Sequence, residues 1–277
     1  MSITVQACLQ RQSELPDSDS PRLDLELLLA HVLERDRTYL YTWPEKTLNE
    51  AQLAAFEGLL SQRQQGHPVA HLLGQREFWG LPLVVDDSTL IPRPDTETLV
   101  AAALALSLAE DAHVLDLGTG TGAIALALAS EQPRWQITAA DASPAAVALA
   151  ERNRQALGFN NVQVQQSHWF AQLAASRVDL IVSNPPYIDA QDPHLTQGDV
   201  RFEPLSALVA AEHGLADIRH IIDAGRQYLR PGGWLLLEHG YTQAVEVCAL
   251  LQQAGYQQVH TVKDFGHNDR VSGGQMP

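Results

Sequence analysis

From Ala112 onward, short apolar runs alternate with longer stretches in which apolar residues recur at helical spacing. Ala112 to Leu117 reads as a strand and is followed by the apolar helix Ala123 to Ala129. Gln136 to Ala140 is a second strand, and the helix Ala145 to Leu157 follows it, with Ser143 as N-cap and Pro144 in the first turn. Strands at Val162 to Gln166 and Val178 to Ser183 come next, then a helix near Gly214 to Leu229, the buried strand Trp234 to Glu238 and a helix Gln243 to Ala254. A strand pair near Gln258 to Lys263 and Arg270 to Ser272 closes the chain. This alternation predicts an α/β fold with a doubly wound, mostly parallel sheet.

The first part of the chain has a different pattern. Leu23, Leu27, Val32 and neighbouring leucines repeat at helical spacing between Arg22 and Leu33. Asn49 caps a helix reaching about Gln65, and Gly66-His67-Pro68 stops it. These features predict a small helical domain over residues 1–74. Phe78 to Val85 holds Gly80 and Pro82 and predicts a β-hairpin within a linker at residues 75–90. Arg93 and Pro94 open a helix Thr96 to Leu108, and the larger domain spans residues 91–277.

Chemistry concentrates where predicted strands end. Gly118-Thr119-Gly120-Thr121-Gly122 lies between a strand and a helix, where glycines let backbone amides and a helix N-terminus approach a ligand. Gly118, Gly120 and Ala123 also satisfy the dinucleotide spacing, so the loop alone does not separate a nicotinamide cofactor from S-adenosylmethionine. Asp141 ends the next strand, about 20 residues on, as a ribose-binding acid would. Helix capping is its competing role, but Ser143 already fills that position.

Val178 to Ser183 stops at Asn184-Pro185-Pro186-Tyr187, a strand ending in a rigid turn. That turn offers the Asn184 amide oxygen and the Pro185 carbonyl as acceptors for one NH2 group, with Tyr187 as a flat face for a planar group. An amide or exocyclic amine suits it. The lone pair of such a nitrogen is delocalised, so gripping both N–H bonds turns electron density toward an electrophile.

Composition removes several alternatives. A net charge of −15 is a poor match to sequence-tolerant binding of a nucleic-acid backbone. Cys8 and Cys248 are expected to be free thiols in a reducing compartment, and the 11 histidines form no metal-ligand pattern, so no metal is expected. The start of the chain lacks a basic segment followed by an apolar one, and no apolar run spans a bilayer, which predicts a cytoplasmic protein.

Taken together, Asp116 to Gly122, Asp141 and Asn184-Pro185-Pro186-Tyr187 resemble class I S-adenosylmethionine-dependent amino-methyltransferases. Ile91 to Glu97, the Asn-Pro-Pro-Tyr-Ile run and Asp199-Val200-Arg201-Phe202-Glu203-Pro204 narrow the resemblance to the release-factor glutamine methyltransferase family (PrmC, also called HemK). It spans nearly the whole chain. It implies a seven-stranded methyltransferase sheet whose final strand is antiparallel, and a helical domain that docks a protein substrate. The implied reaction moves a methyl group from S-adenosyl-L-methionine to the side-chain amide nitrogen, N5, of the glutamine in the Gly-Gly-Gln loop of class 1 peptide-chain release factors.

On that reading Asp116, Gly118, Thr119, Gly120, Thr121, Gly122, Asp141, Trp169 and Asn184 bind the cofactor. Asn184, Pro185 and Tyr187 are catalytic, and they bind substrate with Pro186 and Arg93. Trp169 is the wall for adenine. His168 stands where the family commonly has an acid that accepts from the adenine amino group, and only a neutral ring nitrogen does the same. No general base is required, since the amide sheds its proton after attack; Glu97 and Glu238 are expected in surface or capping roles. A monomer is expected. Two other functions use parts of the pattern: a nucleic-acid adenine N6-methyltransferase, and a non-enzymatic cofactor-binding interaction module. A nicotinamide oxidoreductase has no use for the Asn-Pro-Pro-Tyr turn.

The tail, Val271-Ser272-Gly273-Gly274-Gln275-Met276-Pro277, departs from a good strand because glycines weaken pairing. Its Gly-Gly-Gln also reproduces the tripeptide that the family methylates. A free terminus would bring Gln275 within reach of its own or a neighbour's active site.

Overall fold

The structure, a computed structural model, describes residues 3–174 and 176–277. The chain forms two compact units, one made of the residues up to Gln75 together with Pro193–Phe202, the other of Arg76–Asp192 and Glu203–Pro277.

The first unit contains helices α1 (Val5–Leu9), α2 (Pro21–Leu33), α3 (Arg37–Thr42), α4 (Glu50–Gln64) and α5 (Val69–Leu73). Leu25, Leu28 and Leu29 of α2 pack with Cys8, Phe56 and Leu60 into its core. Asn49 and Gln52 form a reciprocal capping box, each side chain accepting from the other's backbone N–H at 2.8 and 3.0 Å. Arg63, near the end of α4, is 11% exposed and donates to Asp24 at 2.7 Å and to Asp199 at 3.0 Å. His67 and Phe202 pack ring on ring, with centroids 4.6 Å apart. These contacts fasten Pro193–Phe202 to the helices. Hydrophobic patterning does not show that grouping, because the segment lies more than a hundred positions away from its partners.

The second unit is built on a seven-stranded sheet. Strands β1 (Gln75–Phe78) and β2 (Leu81–Val84) first form a separate two-stranded hairpin. Trp79 and Gly80 make its turn, both at positive φ, and Asn153 fixes it by accepting from Val84 N–H at 2.8 Å and donating to Val84 O at 3.0 Å. The main sheet comprises β3 (His113–Leu117), β4 (Gln136–Asp141), β5 (Val162–Gln166), β6 (Val178–Ser183), β7 (Leu229–Glu238), β8 (Gln257–Lys263) and β9 (Asp269–Gln275). Their order is β5-β4-β3-β6-β7-β9-β8, with β9 antiparallel to both neighbours and the other pairs parallel. Leu180 and Val182 of β6 enter one apolar cluster and Ile181 the other. Burial on both faces explains why the strand reads as a continuous apolar run.

The helices are α6 (Glu97–Leu104), α7 (Ala123–Glu131), α8 (Pro144–Leu157), a kinked α9 (Ala211–Gly214), α10 (Ala216–Tyr228) and α11 (Ala244–Gln253). The chain leaves β3 toward β4 and β5 and returns to β6 on the other side of β3, so the carboxyl ends of β3 and β6 face a switch point. Ser183 donates to Leu117 O at 2.7 Å and locks those two ends together. No helix among the described residues is long and apolar enough to cross a membrane.

Two expectations change. The helix expected over Thr96 to Leu108 starts with a 3-10 turn, Pro94–Thr96, and ends at Leu104. Its hydrogen bonds switch there from Ala105 N–H to Ala101 O to the tighter Leu106 N–H to Ala103 O. The second change is the tail. Gly273, Gly274 and Gln275 pair fully, opposite Leu236, Leu235 and Trp234. A Cβ at Gly273 would lie 2.3 Å from Leu236 Cδ2 and one at Gly274 2.8 Å from Tyr256 Cβ, so these glycines permit pairing rather than weaken it. Gln275 donates to Gly232 O at 2.8 Å and accepts from Gln258. The Gly-Gly-Gln tail is therefore a fixed strand, not a mobile substrate mimic.

Candidate active site

A cavity of about 460 Å³ opens at the switch point. Its floor is the glycine loop. Gly118, Gly120 and Gly122 adopt φ of 70°, 55° and 84°, the left-handed region in which other residues are strained. Most of the loop's amides are not offered to a ligand as the sequence suggested: Gly118 and Thr119 N–H donate to Ala140 O, Gly120 N–H to Asp141 Oδ2 and Gly122 N–H to Thr119 O. What the loop presents is a wall free of bulky side chains. The cavity is lined by Gly118, Thr119, Gly120 and Thr121, whereas Gly122 is not part of the lining and starts α7.

Asp116 lies under this loop, fully buried and outside the cavity lining. Its Oδ2 accepts from the Thr119 hydroxyl at 2.6 Å, and its Oδ1 is buried without a hydrogen-bond partner. Burial raises its pKa to about 7, against the Thr119 hydroxyl, which favours the charged form. Asp141 does line the cavity. Each of its oxygens accepts one backbone bond at 2.9 Å, Oδ2 from Gly120 and Oδ1 from Ser143, which leaves each with a further lone pair. Ser143 caps α8 by accepting from Ala146 N–H, so Asp141 is not the cap.

The wall after β5 carries Ser167, His168 and Trp169. Trp169 sits at φ 49°, an uncommon backbone state for a bulky residue, and Ser167 donates to its carbonyl at 2.7 Å. His168 N–H donates to Gln172 Oε1 at 2.8 Å, and the residue lines the cavity. Across the cavity, Thr89 contributes a hydroxyl that is buried without a partner.

The Asn184-Pro185-Pro186-Tyr187 turn closes the remaining side. Asn184 and Pro186 line the cavity, while Pro185 is buried outside the lining. The Asn184 NH2 donates to Thr96 Oγ1 at 3.2 Å, so its oxygen remains as the acceptor. Tyr187 is half-buried and does not line the cavity; its hydroxyl turns inward, 3.5 Å from Glu238 Oε1. Burial, with the nearby Glu238 charge, pushes that phenol above its ordinary pKa. Gln243 clamps the turn from behind, donating to Tyr187 O at 3.1 Å and to His213 O at 3.2 Å while accepting from Gly240 N–H at 2.8 Å.

Arg93 also lines the cavity, and its guanidinium donates to Glu203 Oε2 at 2.7 Å. Glu203 is buried and accepts from Ile91 N–H at 3.1 Å through its other oxygen, which fixes the segment before α6. Glu97 is structural, accepting from Trp79 N–H at 2.9 Å. Glu238, by contrast, corrects the expected surface or capping role: it is 1% exposed, and burial raises its pKa to about 7. Thr96, Gln243 and Glu203 were not singled out from sequence. Thr96 and Glu203 do stand inside the two flanking motifs that carried the resemblance. No cluster of three or more His, Cys, Asp or Glu among the described residues is arranged to hold a metal ion.

Residues 6–74 match the family model described as the PrmC N-terminal domain, and residues 95–200 match the methyltransferase small domain. A Shewanella oneidensis protein named release factor glutamine methyltransferase is 58% identical over 93% of this chain and 90% of its own length. An Escherichia coli protein of the same name is 55% identical over 95% of each chain. Among solved structures, a methyltransferase from Pyrococcus furiosus shares the fold, with a TM-score of 0.55 and 18% identity over 71% of this chain and 89% of that one.

Proposed function

The chain belongs to the release factor glutamine methyltransferases, and from that premise we propose that it methylates the N5 amide nitrogen of the glutamine in the Gly-Gly-Gln motif of class 1 peptide-chain release factors, with S-adenosyl-L-methionine as donor. The single observation that carries the reading is the orientation of Asn184. Its NH2 is committed to Thr96, so an acceptor oxygen faces a cavity that would otherwise need to choose between donor and acceptor. A primary amide presents N–H donors to such an oxygen.

The residues fit the donor. Asp141 has free lone pairs for ribose hydroxyls, Trp169 offers a flat wall for adenine, and the wall of Gly118 to Thr121 leaves room for the methionine portion. The unpartnered Thr89 hydroxyl is a further polar contact awaiting a ligand. A cavity of about 460 Å³ falls in the size range of small-molecule sites. The bound cofactor supplies an electrophilic methyl group on a sulfonium. The chain's part is then positional: Asn184 accepts one N–H of the target amide, and the carbonyl of Pro185 is assigned the other. Pro185 and Pro186 hold the turn rigid. Fixing nucleophile and electrophile in line is worth several orders of magnitude in rate. The amide loses its proton after attack, so no side chain is needed as base.

The helical domain over residues 1–74 is assigned to docking of the release factor, residues 75–90 to the linking hairpin and residues 91–277 to catalysis. Arg93, Pro186 and the exposed part of Tyr187 are assigned to the substrate side. The reading carries with it a cytoplasmic enzyme acting as a monomer. Incubation with methyl-labelled S-adenosylmethionine tests it: label enters a class 1 release factor and is absent from its loop Gln-to-Ala variant and from duplex DNA. Label entering DNA alone overturns it in favour of adenine methylation.

A further inference from the structure

One half-buried side chain joins three segments around the cavity. Gln243 is the N-cap residue of α11, yet its side chain makes no capping hydrogen bond. Its polar atoms are used elsewhere. Oε1 accepts from Gly240 N–H at 2.8 Å, in the loop after β7. The NH2 donates to Tyr187 O at 3.1 Å, at the end of the Asn184 turn, and to His213 O at 3.2 Å in α9. An amide NH2 has two N–H bonds, so both are committed. Gly240 N–H only donates and the two carbonyls only accept, which fixes the way round that the Gln243 amide lies.

The α9 segment needs such a hold. Glu212 and His213 have φ of 53° and 56°, and Gly214 follows at 85°. Two successive non-glycine residues in the left-handed region are strained, and such backbone persists where its neighbours over-determine it. A Cβ at Gly214 would lie 2.8 Å from Gln243 Nε2, so the amide packs directly on the kink. Three residues beyond Gly214, Asp217 in the first turn of α10 lines the cavity. On the other arm, Tyr187 stands two residues past Pro185, whose carbonyl is assigned to the target amide. The anchor is itself fixed. His239 is buried and its Nδ1 faces Gly240 O at 2.9 Å, so Nδ1 donates and Nε2 accepts from the Ser272 hydroxyl at 2.8 Å.

We propose that Gln243 is a positioning residue for methyl transfer: its NH2 ties the backbone of the Asn184 turn and of the kink before α10 to the end of β7, and so holds the acceptors for the target amide in register with the cofactor. This rests on the reading of the Asn184 turn as the acceptor of that amide. Gln243 touches neither substrate, since it lies outside the cavity lining. Its effect passes through backbone carbonyls alone, so the polarity of its outer atom is what matters.

The test is single-turnover methyl transfer to a release factor by the full chain carrying Gln243→Met or Gln243→Glu, at saturating cofactor and substrate. Gln243→Met keeps the length of the side chain and removes its polar atoms, and transfer slows about 10–100-fold, the size expected from misplacing a reacting group. The cofactor dissociation constant moves by less than about threefold, because the interaction lost is made on the side of the other substrate. Gln243→Glu keeps the acceptor for Gly240 but turns an oxygen toward two carbonyls. Ionised, that carboxyl repels them; protonated, it donates to one. Its rate relative to the parent therefore rises about tenfold or more as the pH falls from about 8 to about 6. The same ratio for Gln243→Met stays flat. His239, the His213–Asp189 pair and Glu238 beside the Tyr187 hydroxyl are present in both variants, so the introduced carboxyl alone separates them. A thermal melt at each pH records folding, and Gln243→Glu, the same shape as the parent, decides the matter if Gln243→Met does not fold. A parent-like rate in Gln243→Met, or a flat ratio in Gln243→Glu, overturns the proposal while leaving Asn184 as acceptor. A parent-like rate in Asn184→Ala overturns the underlying reading, and this proposal with it.

Discussion

The glycine loop is held by its neighbours in sequence, Thr119 by Asp116 three positions away and Gly120 by Asp141 at 21. The Asn184 turn is held from afar: Asn184 by Thr96 across 88 positions, Tyr187 by Gln243 across 56 and by Glu238 across 51. Both border one cavity, yet they depend on different parts of the chain. The glycine loop is a local device, completed by β3 and the end of the adjacent β4. The Asn184 turn takes its arrangement only after β6, β7 and the segment before α6 have come together. Remote changes should therefore damage methyl transfer, and local ones cofactor binding.

The largest effect expected of a remote change is at Gly214, which sits at φ 85° against the turn. A Cβ there would lie 2.0 Å from Tyr187 O, so Gly214→Ala must displace the turn's backbone. Turnover at saturating cofactor should fall about 100-fold or more, as for a shift of about 1 Å in a reacting group. Cofactor affinity measured by calorimetry should hold. A parallel loss of both would place the two sides in one cooperative device and break the comparison.

Asp141→Ala is the local counterpart. Removing a charged acceptor for ribose hydroxyls should cost roughly 1.5–3 kcal/mol of cofactor affinity. The rate at saturating cofactor should change far less. Unchanged affinity in a calorimetric titration removes Asp141 from the ribose role.

The smallest effect concerns Asp116, whose burial raises its pKa from 3.8 to about 7 in the folded protein. The folded state thus holds this proton more tightly than the unfolded chain does, and ionisation opposes folding above about pH 7 but not below about pH 4. Asp116→Asn keeps an acceptor for Thr119 and stays neutral. Without cofactor, it should melt higher than the parent at about pH 8, with the gap closing as the pH falls toward 4. A gap that does not vary with pH would show that folding leaves the acid's pKa where it is in the unfolded chain.

This division also explains how much the sequence revealed. The glycine loop, Asp141 and Ser143 announce themselves because each is set by residues close in sequence, and the Asn184 turn is legible because its two prolines directly follow the apolar run of β6, although the contacts that hold it are remote. The alternation of strands and helices gave the sheet for the same reason. Thr96, Gln243 and Glu203 did not announce themselves, since an isolated polar residue carries no local sign of the partner it will meet across the fold. Glu238 misled for a related reason: an acid at the end of a strand reads as exposed until β9 pairs beside it and Tyr187 comes against it. The tail misled through its glycines, which look like weak strand formers until Leu235 and Leu236 occupy the space a Cβ would need. The amides of the glycine loop were read as ligand donors, and only the register of β4 shows that Ala140 and Asp141 already use most of them.

The account stands or falls on Asn184 as an acceptor, and single-turnover transfer by Asn184→Ala and Asn184→Asp, measured side by side at saturating cofactor, addresses that directly. Alanine removes the oxygen and should slow methyl transfer roughly 10²–10³-fold, like the loss of one preorganised polar group at a transition state. Aspartate keeps an oxygen in nearly the same place and should be clearly faster than alanine. Equal rates for the two, or an alanine variant that transfers the methyl group as fast as the parent, would contradict the acceptor role.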